Sequence, residues 1–88
     1  MIHLLNIFIH NYLKNLDIDK AILISKQFDV EFSYEEMKIV LPFVRQNYRA
    51  LLDEKSKTST INNLASISNY NVANKCDKLI DKVLIILS

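Results

Sequence analysis

Apolar side chains recur every three or four positions along nearly the whole chain, the spacing of helices that each bury one side. At about 100° per residue the faces follow by arithmetic, and five helical segments emerge. The first spans about Ile2 to Asn15, with Ile2, Leu5, Phe8, Ile9, Tyr12, Leu13 and Leu16 on one broad side and His3, Asn6, His10 and Lys14 opposite. The second spans about Ile18 to Phe28 behind Asp17 as N-cap. It turns Ile18, Ala21, Ile22, Ser25 and Phe28 inward and leaves Leu23 and Ile24 off that face.

The third segment has the clearest start. Ser33-Tyr34-Glu35-Glu36 is a capping box, and Phe32 and Met37 occupy the staple positions around it. One apolar face then runs from Tyr34 through Met37, Val40, Leu41, Val44, Tyr48, Leu51 and Leu52. Pro42 lies opposite, and its missing N–H predicts a bend there or a short break before Asn47. The fourth segment, about Lys55 to Ile67 with Asp53 as cap, has a narrow stripe of Ile61, Leu64 and Ala65. The fifth, about Asn69 to Leu87 behind Ser68, has a wide face of Val72, Ala73, Cys76, Leu79, Ile80, Val83, Leu84, Ile86 and Leu87. Lys75, Lys78 and Lys82 line one polar flank, with Asp77 and Asp81 as their helix neighbours.

The expected fold is therefore all-α: a single domain over residues 1–88, built as a compact bundle of four to five short helices. Its expected core is Leu5, Phe8, Ile9, Tyr12, Ile22, Phe28, Met37, Leu41, Val44, Ile61, Leu64, Cys76, Leu79, Ile80 and Val83. Composition supports this. The chain has no glycine and a single proline, so tight hairpins and phosphate-cradling loops lack their usual material. Helices joined by Asn, Asp and Ser need none.

Charge and cysteine content narrow the function classes. A formal net charge of +1 gives no whole-molecule field to recruit nucleic acid or anionic lipid. Cys76 is the only cysteine, so no internal disulfide forms and a reducing, cytoplasmic home is expected. The apolar start, Met1 to Leu13, lacks the basic opening and small-residue cleavage site of a signal peptide. The apolar tail Val83 to Leu87 is far shorter than the ~20 residues of a membrane span. No membrane association is expected.

The stretches Ser33-Tyr34-Glu35-Glu36, Leu52 to Lys57, Ile61 to Ile67 and Val72 to Leu79 together resemble a family of short uncharacterised proteins from low-GC Gram-positive bacteria, the domain of unknown function numbered 2624. The resemblance spans most of the chain and rests on helix caps and core spacings. It implies a small helical bacterial protein and supplies neither an activity nor site residues.

Candidate chemistry is sparse. His3 and His10 share a stripe but lie about 10 Å apart along it, whereas a zinc pair on one helix wants i, i+4 spacing. Cys76, on an apolar face, reads as a small buried hydrophobe. Glu36 is explained by the capping box, and Glu35 suits the positive end of the helix dipole. No catalytic residue, cofactor, metal or small-molecule substrate is inferred, and an enzyme is not expected.

Two binding modes remain. Residues 18–46 faintly have the form of a helix-turn-helix, although the second helix opens on Glu35 and Glu36 where phosphates want basic groups. Lys38, Arg45 and Arg49 on the third helix, or Lys75, Lys78 and Lys82 on the fifth, would make the phosphate contacts of a nucleic-acid-binding module. The preferred expectation is a non-catalytic protein-interaction or self-associating protein. It rests on apolar residues left off the core faces: Ile39, Phe43, Leu23 and Ile85, with Ile7 and Ile24. Gathered together, such residues mark an interface.

Overall fold

In a computed structural model, the structure describes the backbone of residues 9–87 and the side chains of residues 9–85. Within that range there are five helical segments and no strand. The first, α1, is helical over residues 9–14. It is followed by α2 (Ile18–Gln27), α3 (Tyr34–Leu51), α4 (Glu54–Ile67) and α5 (Tyr70–Leu87). The expected positions Ile2, His3, Leu5, Ile7 and Phe8 lie outside the described residues, as do the side chains of Ile86 and Leu87.

Short polar side chains start the helices, as glycine-free linkers require. Asp17 accepts the Lys20 amide at 2.8 Å. Ser33 Oγ accepts the Glu36 amide at 3.1 Å while the Glu36 carboxylate accepts the Ser33 amide at 2.8 Å, completing the capping box. Asp53 accepts the Lys55 amide at 3.0 Å. The cap of α5 is Asn69, whose Oδ1 accepts the Val72 amide at 2.9 Å, and not Ser68 as expected. The Ser68 hydroxyl instead donates backwards to the Leu64 carbonyl at 2.6 Å, closing the end of α4. Two adjacent residues thus finish one helix and begin the next.

Helix ends are managed from a distance. The last turn of α2 passes through a Schellman arrangement: the Asp29 amide donates to Lys26 and the Val30 amide to Ser25, both at 3.0 Å. Its left-handed residue is Asp29, at φ 61°. The Phe28 carbonyl accepts from the Lys82 ammonium of α5 at 2.6 Å. The end of α1 is held by Arg45 of α3, whose guanidinium donates to the Leu13 carbonyl at 2.9 Å and also to the Leu16 carbonyl. Cations at a helix C-terminus satisfy orphan carbonyls and oppose the negative end of the dipole.

The long helix α3 organises the molecule, packing against α2, α4 and α5, while α4 packs between α3 and α5. It runs unbroken past Pro42 to Leu51, which removes the expected break before Asn47. Pro42 is exposed, so its ring, which can give the Lys38 carbonyl no helical donor, takes no place in the core. The opposite face holds the helix together by burying Met37, Val40, Leu41, Tyr48 and Leu51. Phe32 and Met37 join the same core, fixing the entry into α3 as a staple does.

Leu51, Leu64 and Cys76 have no exposed surface, so α3, α4 and α5 meet at a buried centre. Burying a leucine side chain is worth about 1.5–3 kcal/mol. Buried Ser25 and Thr60 satisfy their hydroxyls on the carbonyls of Ala21 and Ser56, each at 2.8 Å. The radius of gyration, 12.0 Å, matches the roughly 12 Å of a compact chain this long. One expected core residue is misplaced: Tyr12, on the short α1, is 51% exposed and does not join the core cluster. Tyr34, expected to open the apolar face of α3, is likewise half exposed, since it precedes the first turn that packs.

Candidate functional site

The six cations expected on two basic faces do not form a continuous phosphate track. Arg45 is fixed on the backbone of residues 13 and 16. Lys82 is fixed on the Phe28 carbonyl. Lys75 Nζ lies 3.0 Å from the Glu36 carboxylate and over the Phe32 ring, 5.8 Å from its centroid. Lys38 is paired with Glu35 at 3.5 Å and lies over Tyr34, and the Arg49 guanidinium lies 5.8 Å from the Tyr48 ring centroid. Lys78 is exposed on α5. Partners from other helices are invisible to the spacing rule that groups these residues by face.

The acidic flank of α5 also has an unexpected partner. Asp77 and Asp81 enclose Lys57 of α4, at 3.0 Å for Asp77, instead of the lysines of their own helix. The Lys57 side chain is only 18% exposed. Burial pulls its pKa down, yet the two carboxylates together outweigh that and hold it above its ordinary 10.5. Glu36 is the converse case. The Ser33 amide chiefly, helped by Lys75 against the effect of burial, holds its carboxyl below the ordinary 4.5. The stabilisation it gives is therefore present at neutral pH and lost as pH falls below 4.5.

Cys76 is buried at the centre of the molecule. Burial, with a smaller push from Asp77 against Lys57, raises its thiol from 9.0 to about 12. At neutral pH it is neutral and a poor nucleophile. His10 is exposed, its ring centroid 5.9 Å from that of Tyr48, and His3 lies outside the described residues. Among the described residues no three metal-ligating side chains gather, and no helix is long and apolar enough to cross a membrane.

The apolar residues expected to be left over divide. Leu23 is 61% exposed, Ile39 38% and Ile85 75%. Phe43 is not among them: it is half-buried and packs against the core, because α3 is wrapped more widely than its helical wheel suggests. Ile24 is half-buried too. Ile67 and Tyr70, which flank the α4–α5 junction, add exposed apolar surface not anticipated from spacing.

Ile24 helps to line the feature that spacing did not reveal at all, an apolar cavity of about 340 Å³ enclosed by α1, α2, α3 and α5 and open to the surface. Its walls include Ile9, Tyr12, Ile24, Phe28, Leu79 and Val83, with Ser25 and Cys76 as small polar members. Residues that line a cavity carry the same periodicity as residues that fill a core, so the pattern alone cannot separate them. A second, shallower pocket lies around Asp17, Asp19, Tyr34 and Arg45.

No protein-family model, curated protein or solved structure matches the chain.

Proposed function

We propose that this is a non-catalytic, cytoplasmic helical protein that works by associating with protein, in the first place with a second copy of itself. The observation that carries this reading is the exposure of large aliphatic side chains, Leu23 at 61% and Ile85 at 75%, on the outer sides of α2 and α5. Covering such surface releases water and stabilises by roughly 25 cal/mol per Å² before the cost of association. The chemistry inside the molecule supports the same reading. The thiol is held protonated, and most of the basic side chains already have acceptors or aromatic rings as neighbours. Membership of the family numbered 2624 is part of this proposal and adds no activity to it.

Light scattering across a dilution series tests the reading. A mass that rises with concentration toward a defined oligomer is expected. A monomer throughout, at high protein concentration, contradicts it.

A further inference from the structure

We propose that the cavity between α1, α2, α3 and α5 is a binding site for a small, uncharged, apolar molecule of roughly a dozen carbons. The size follows from volume. An apolar cavity of about 150 Å³ takes benzene, so 340 Å³ admits roughly twice as many carbons. It falls at the lower end of the range for ligand sites, about 300–1,000 Å³.

The absence of charge on the ligand follows from the walls. None of the lining side chains among the described residues is ionic. Ser25 already donates to the Ala21 carbonyl at 2.8 Å, and the Cys76 thiol is buried in its neutral form. A carboxylate or ammonium inside would lose its hydration without meeting a counter-ion. Aromatic walls at Tyr12, Phe28 and Tyr48, with the sulfur of Met37, suit flat rings and flexible chains alike. The cavity reaches the surface, and among its walls Ile24 and Val83 are half-buried and Tyr12 is half-exposed. This site is separate from the outward side chains Leu23 and Ile85, so either reading can fail without the other.

The full chain is titrated with 1-decanol and, separately, with decanoate at pH 7, at a concentration where scattering shows one species. Saturable one-to-one binding of decanol is expected, with decanoate at least tenfold weaker. Methyl NMR shifts are expected at Ala21, Ile24, Leu79 and Val83. Val83→Phe and Ile24→Phe, which put larger side chains into the cavity wall, are each expected to weaken decanol binding at least tenfold. Three results would overturn the site: no saturation up to the solubility of decanol, equal binding by folded Val83→Phe and Ile24→Phe, or shifts confined to Leu23, Ile67 and Ile85. Should both variants unfold, the map of shifts on the unsubstituted protein decides alone.

Discussion

Asp29 holds a backbone conformation that glycine adopts without strain and other residues adopt at a cost. It does so because the Schellman turn after α2 needs one left-handed residue and the sequence offers no glycine. Asp29→Gly should therefore stabilise the protein by roughly 0.5–1 kcal/mol, read as a shift of the urea midpoint. Asp29→Val should destabilise it by more than about 1 kcal/mol. Cys76 makes a second prediction. Below pH 9.0 the thiol is protonated in both states. Between 9.0 and about 12 the unfolded chain gives up the proton and the folded chain keeps it. Stability should fall as pH rises through that window, by about 1.4 kcal/mol per pH unit. Cys76→Ala should flatten that slope between pH 8 and 10 in urea titrations. Lys57 does not confuse the test between pH 8 and 10, since its contribution is intact below its ordinary 10.5 and is lost as pH rises from there through its raised pKa.

At the scale of elements, the helices are joined by side chains reaching across the fold. Arg45 ties the end of α1 to α3, and hydrogen bonds from a charged donor contribute about 1.5–3 kcal/mol when sheltered and less when exposed, as here. Arg45→Met should cost about 1 kcal/mol and selectively lower amide-exchange protection over residues 9–14. Arg45→Lys should restore only part of it, since an ammonium cannot reproduce the fork. Pro42 interrupts the ladder of an otherwise regular helix at an exposed position. Pro42→Ala should raise stability by about 1–3 kcal/mol, with the midpoint of thermal unfolding rising accordingly. Helix existence, the Asp17, Ser33 and Asp53 caps and the inward face of α3 were legible from the chain, because caps and spacing are local. The Arg45 fork, the Lys82 contact and the Lys57 cluster were not, since each joins residues twenty or more positions apart. The Ser68–Asn69 exchange shows the limit of local reading: either side chain could cap α5, and closure of α4 decided between them.

Over the whole molecule, α3 supplies a spine against which α2, α4 and α5 pack, and the centre is sealed by Leu51, Leu64 and Cys76. An 88-residue chain buries only about two-thirds of its unfolded surface, so apolar side chains facing outward are a substantial fraction of what it has left to cover. In the proposed self-association, Leu23 and Ile85 are covered by a second copy. The most direct measurement is light scattering of the unsubstituted protein beside the double variant Leu23→Glu, Ile85→Glu, over the same dilution series. An oligomer that dissociates on dilution is expected for the first and a folded monomer at every concentration for the second. Identical masses for the two proteins, with the helical circular-dichroism signal intact in both, would contradict it.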